Sequence, residues 1–121
     1  MGGTVCIIAD DQDMRQVLSH IVRSVGLTAA LYDSAQSFLR RTGDRPTGCM
    51  VVDVPLRGTQ GTALLQKLAE GSNECPVFLI GDAMSHVSAV AARRCAAVLI
   101  EKPFDARLLA QGIRTAINAD R

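Results

Sequence analysis

The run Cys49-Met50-Val51-Val52-Asp53 constrains this chain more than any other stretch. Successive apolar residues with no polar alternation fit a strand buried on both faces, as in a parallel sheet covered by helices. Such a strand delivers the residue at its end to the carboxyl edge of the sheet, where open α/β folds keep their chemistry. Asp53 is therefore the candidate reactive residue, although an Asp in that place also serves as a turn former or a helix N-cap. Two more apolar runs finish on charge: Ile7-Ile8-Ala9-Asp10-Asp11, and Val98-Leu99-Ile100-Glu101-Lys102 ahead of Pro103-Phe104. The three ends would converge on one edge.

Between these runs the period changes from 2 to 3.6. After a strand at Thr4 to Ala9, Met14, Val17, Leu18, Ile21, Val22 and Val25 recur at helical spacing, with Gly26 as the stop. Leu27 to Tyr32 reads as a second strand, and Asp33-Ser34 caps a short helix through Phe38 and Leu39. Met50 to Val52 is the third strand. A helix burying Leu64, Leu65 and Leu68 follows, then a strand at Pro76 to Ile80 closed by Gly81-Asp82, then a helix marked by Val87 and Val90. Ala97 to Ile100 is the fifth strand, Lys102-Pro103 turns the chain, and Leu108, Leu109, Ile113 and Ile117 give the last helix its apolar face. Five strands alternating with five helices predict an α/β fold, a doubly wound parallel sheet with right-handed crossovers.

Length allows one domain over residues 1–121, with a core at about 4–119. A formal net charge of +1 gives no electrostatic case for direct nucleic acid binding or for an anionic membrane. No apolar stretch approaches the length of a membrane span, and Met1-Gly2-Gly3 leads directly into a strand without a leader. The four cysteines, Cys6, Cys49, Cys75 and Cys95, show no CxxC pairing and no zinc-like spacing, which suits a reducing, cytoplasmic setting. His20 and His86 stand alone and are assigned no role.

Ile100-Glu101-Lys102-Pro103-Phe104, Asp53 with Gly61 eight residues on, and acids after the first strand together carry a resemblance to response-regulator receiver domains of two-component systems. The pattern is most similar to the receivers of FixJ-type transcriptional regulators. The resemblance implies a flavodoxin-like (CheY-like) sheet of order 2-1-3-4-5. It also implies that Asp53 accepts a phosphoryl group from a histidine kinase or phosphotransfer protein, a transfer in which negative charge builds on the moving oxygens. Mg²⁺ would be held by Asp10, Asp53 and the Pro55 carbonyl, a sparse set adequate for an ion that keeps several waters. Lys102 would meet a phosphoryl oxygen as a compact point charge. Such a domain is a phosphoacceptor rather than an enzyme in its own right, though it catalyses its own phosphotransfer and dephosphorylation.

The departures from the family pattern are as informative. The offsets from Asp10 to Arg15 and to Asp53 match the second of the family's two adjacent acids, which places Ala9 where the first belongs. Asp11 then points elsewhere, and reaches the metal only through a bent loop or a bridging water. Gly81 stands where the family has a Thr or Ser that contacts the phosphoryl group, and Leu99 where an aromatic often rotates inward. Arg57 takes the usual proline place after the acceptor, and the run through Ala96-Ala97 to Lys102 is one residue short.

Two mechanisms therefore stay open. One is a receiver that relays phosphorylation to an output domain or partner, with transcriptional regulation as the outcome. The other is a receiver-fold interaction domain with weak or no phosphorylation switching, favoured by Ala9, Gly81 and Leu99. A flavodoxin-like nucleotide- or flavin-binding domain is the remote third, since Asp10-Asp11-Gln12-Asp13 is acidic where phosphate loops need amides. No helix-turn-helix follows Asn118, so a DNA-binding output domain would need a longer chain. The helix 4, strand 5 and helix 5 face is the expected surface through which a receiver engages a partner, and helices 1 and 4 with strand 5 are the expected partner or homodimer faces.

Overall fold

The computed structural model describes residues 3–40, 48–54, 63, 64, 66, 76–82, 93 and 97–119. The strands are β1 (Thr4–Ile8), β2 (Thr28–Tyr32), β3 (Cys49–Asp53), β4 (Val77–Asp82) and β5 (Val98–Lys102). They form one sheet in the order β2-β1-β3-β4-β5, with every pairing parallel. Among the described residues the helices are α1 (Gln12–Ser24), α2 (Ala35–Arg40) and α3 (Ala106–Ala119). The helices expected around Leu64 to Leu68 and around Val87 to Val90 fall largely outside the described residues; Ala63, Leu64, Gln66 and Arg93 are helical.

The alternation of each strand divides the core in two. Val5, Ile7, Cys49, Val51, Phe78 and Ile80 pack with Leu18, Ile21 and Val22 of α1 and Leu109, Ile113 and Ile117 of α3. Cys6, Ile8, Met50, Val52, Val77 and Leu79 pack on the other face with Ala35 and Phe38 of α2 and with Leu64. Every residue of β3 is buried, which is what its unbroken apolar composition requires. No helix among the described residues is long and apolar enough to cross a membrane.

Local chemistry sets the helix ends. Asp11 caps α1, its Oδ2 accepting from the Met14 N–H at 3.1 Å. Gly26 ends that segment at φ +83°, a left-handed conformation that glycine adopts without Cβ strain. Ser34 caps α2 through the Ser37 N–H at 3.0 Å, and Asp105 caps α3 through the Arg107 N–H at 2.8 Å.

Several boundaries correct the sequence reading. Gly81 and Asp82 do not close β4 but lie within it, paired with Glu101 and Lys102, so Lys102 ends a strand rather than starting a turn. Glycine and charge punctuate a chain locally, but the parallel ladder with β5 carries the strand through them after the pairing with β3 has ended at Ile80. Ala9 lies just past β1, although its N–H still donates to Tyr32 O at 3.1 Å. Val17 and Leu108, expected on the apolar helix faces, are 48% and 66% exposed. Each flanks a stripe already filled by its neighbours, Leu18 and Leu109.

The bottom of the sheet is tightly closed. A Cβ on Gly48 would stand 2.6 Å from the Thr4 carbonyl oxygen and 3.0 Å from Ile117, whereas one on Gly3 would meet nothing nearer than 3.4 Å. Gly48→Ala should therefore destabilise the fold by about 1–3 kcal/mol, because backbone has to move. Gly3→Ala should stay within about 0.5 kcal/mol of the parent in the same urea titration.

Candidate functional site

Strand alternation places Asp53 and Lys102 on one face of the sheet. Asp53 continues Cys49 and Val51, and Lys102 continues Ile100, toward the side covered by α1 and α3. They sit at the carboxyl ends of strands separated by β4, with Asp53 level with Ile80 and Lys102 level with Asp82. Strand spacing of about 4.8 Å makes this a gap only a long side chain can span. The lysine stem does so, bringing Nζ to 2.6 Å from Asp53 Oδ1. The Lys102–Pro103 peptide is cis.

The two partners are unequally hydrated. The Asp53 side chain is 12% exposed and that of Lys102 34%. Oδ1 is buried, and the Lys102 ammonium faces it as an ion-pair partner. Burial pushes the Asp53 carboxyl above the usual carboxylate range; the Lys102 contact and charge pull it back, while the charges of Asp10 and Asp11 raise it further. Desolvation wins because one lysine, itself partly in water, does not replace the lost hydration.

The acids after β1 differ in environment. Asp11 is exposed and its Oδ2 is taken by the cap of α1. Asp10 is half-buried on the turn just before it, close enough for its charge to bear on Asp53. Ala9, where the sequence reading expects the family's first acid, is fully buried. A buried carboxylate and a second carboxylate in electrostatic reach are hard oxygen donors of the kind a small divalent cation takes. Among the described residues no group of three or more His, Cys, Asp or Glu side chains could hold a metal, so an ion here would keep much of its water.

Gly81 is buried within β4, and Leu99 packs partly buried into the cluster with α2, on the face opposite Lys102. Pro55, Arg57, Gly61, His86, Val87 and Val90 lie outside the described residues. Sequence reasoning used Arg15 only as an alignment marker and missed its contacts. Its Nη1 donates to the carbonyls of Ala9 at 2.7 Å and Asp10 at 3.1 Å. An arginine in the first turn of a helix, against the helix dipole, was the available signal.

Because the folded state holds the Asp53 proton more tightly than the unfolded state, stability declines as pH rises between the unfolded and folded values of this group. Asp53→Asn removes that penalty. The variant should melt at a higher temperature than the parent at pH 7, with the difference closing by about pH 3, where both states are protonated. A parent more stable than the variant at pH 7 would contradict this electrostatic account.

The comparisons with known proteins agree with this geometry. The family model for the response regulator receiver domain matches residues 5–114. The chain is 33% identical over 114 residues to the response regulator protein TmoT of Ectopseudomonas mendocina, covering 93% of this chain and 52% of that protein. It is 33% identical over 116 residues to the transcriptional regulatory protein FixJ of Bradyrhizobium diazoefficiens, covering 95% and 57%. The chain thus spans about half the length of the curated relatives it matches. A response regulator receiver protein from Pseudoalteromonas atlantica superimposes with a TM-score of 0.83 at 25% identity, covering 98% of this chain and 99% of the other. A CheY-like receiver domain protein from Methanospirillum hungatei shares the fold, with a TM-score of 0.84 at 19% identity, covering 99% and 97%. With the parallel sheet order, the acidic edge and the Asp53–Lys102 pair in place, the chain belongs to the receiver domains of two-component response regulators.

Proposed function

We propose that Asp53 is the phosphoacceptor of this receiver and that the domain relays its phosphorylation to an output domain or partner, with transcriptional regulation as the outcome. The carrying observation is the Asp53–Lys102 contact at 2.6 Å on the carboxyl edge. One Asp53 oxygen attacks the phosphorus of a phosphohistidine on a kinase or phosphotransfer protein. The new P–O bond forms as the P–N bond breaks, and the imidazole leaves with the electron pair. Lys102 favours the ionised, nucleophilic carboxylate before transfer and faces the added negative charge after it. Asp10 and Asp53, with the Pro55 carbonyl, would hold Mg²⁺, which supplies charge neutralisation at the transferring oxygens. A cytoplasmic setting, where such kinases present their histidines, belongs to the same reading.

A second reading keeps the fold and drops the switch. Gly81 offers no hydroxyl to a phosphoryl group, and Leu99 already packs inward. Phosphorylation would then occur without the usual rearrangement, or not at all, and the domain would act by binding.

Intact-mass spectrometry after incubation with acetyl phosphate and Mg²⁺ tests the first reading. A one-phosphoryl mass gain is expected for the parent and none for Asp53→Asn. No gain in a folded parent, with its cognate kinase also failing to transfer, would leave the binding domain as the reading. In calorimetric titration with Mg²⁺, Asp10→Asn should lose more affinity than Asp11→Asn, on the order of 10-fold against little change, because Asn preserves the cap of α1. The reverse order would mean that Asp11, not Asp10, is the metal-side acid.

A further inference from the structure

We propose that Arg15 is a positioning residue: by holding the carbonyls of Ala9 and Asp10 it sets how Asp10 presents its carboxylate to the edge that carries Asp53. The inference rests on the metal-side role given to Asp10 under the proposed function. Three observations support it.

One is geometric. The Ala9 carbonyl belongs to the peptide plane before the Asp10 Cα, and the Asp10 carbonyl to the plane after it. A single nitrogen, Nη1, donates to both, at 2.7 and 3.1 Å. Fixing the planes on either side of one Cα fixes its φ and ψ, and with them the direction of its Cβ.

Another is energetic. The β1 ladder ends at Ile8, and Ala9 is fully buried. A buried carbonyl left without a donor costs about 1–3 kcal/mol, and a charged donor makes the stronger kind of bond. Arg15 stands in the first turn of α1, where a cation opposes the helix dipole by about 0.3–1 kcal/mol. The two carbonyl bonds outweigh that penalty and hold the side chain back over the turn instead of in solvent.

The third is what the turn lacks. With Ala9 beside Asp53, the edge has one acid from this turn outside the helix cap, so its placement matters more than where two carboxylates share a cation. Groups that orient a metal ligand are commonly worth 10–100-fold in affinity.

Mg²⁺ titration of the whole chain and of Arg15→Met and Arg15→Lys tests this, with amide hydrogen exchange of the metal-free proteins as an independent readout. Arg15→Met should bind Mg²⁺ about 10-fold or more weakly, and its Ala9 and Met14 amides should exchange faster while those of Val51 and Ile80 stay protected. Arg15→Lys, with donors but no planar fork, should fall between the two. Unchanged affinity in Arg15→Met, or a loss accompanied by equal deprotection of Val51 and Ile80, would overturn the proposal. If Arg15→Met does not fold, affinity in Arg15→Lys equal to the parent's would overturn it as well. A folded parent that binds no Mg²⁺ would instead refute the metal-side role of Asp10, and this inference with it.

Discussion

The site depends on β3 lying between β1 and β4 with every residue buried. That arrangement gives the core its two apolar faces, and it also takes the last residue of the strand, Asp53, out of water. Removing a carboxylate from water costs several kcal/mol even after relaxation, more than most single contacts return. Only a nearby positive charge makes the arrangement tolerable, and the sheet provides one from β5, across the end of β4. The net upward push on Asp53 shows that compensation is incomplete.

Neighbouring acids in the turn after β1 are separated by local structure rather than by residue type. Asp11 satisfies a helix N–H that has no other intrahelical partner, a role worth roughly 0.5–2 kcal/mol that ties its carboxylate to α1. Asp10, one residue earlier, lies between two peptide planes that Arg15 holds. Adjacent residues of the same type are thus set apart by the cap: the Asp11 carboxylate is tied to α1, whereas the charge of Asp10 bears on Asp53.

The sheet order and the two-faced core were legible because parallel strands buried on both sides leave few alternatives to an unbroken apolar run, and Cys49 to Val52 is one. The convergence of Asp53 and Lys102 was legible for the same reason: both end such runs, and a doubly wound sheet brings strand ends to one edge. The ends of β4 and β5 were not, since Gly81-Asp82 and Glu101-Lys102 look like punctuation until the ladder between them is known. The flanking positions Val17 and Leu108 were misplaced because periodicity defines the centre of an apolar stripe better than its margins. Arg15 was out of reach of periodicity, since its partners are backbone carbonyls; only its place in the first helical turn, against the dipole, pointed to it.

Chemistry and switching draw on different faces of the same strands. Asp53 and Lys102 project toward α1 and α3, whereas Leu99 packs with the cluster on the α2 side. Strand alternation puts Leu99 on the face away from the ion pair, and the 2.6 Å contact forms beside a glycine at position 81. The groups proposed to accept and neutralise a phosphoryl group can therefore persist while those that would report its arrival are changed. Among the described residues, the backbone ladder of β4 and β5 and the turn that Arg15 holds connect the carboxyl edge to the rest of the sheet.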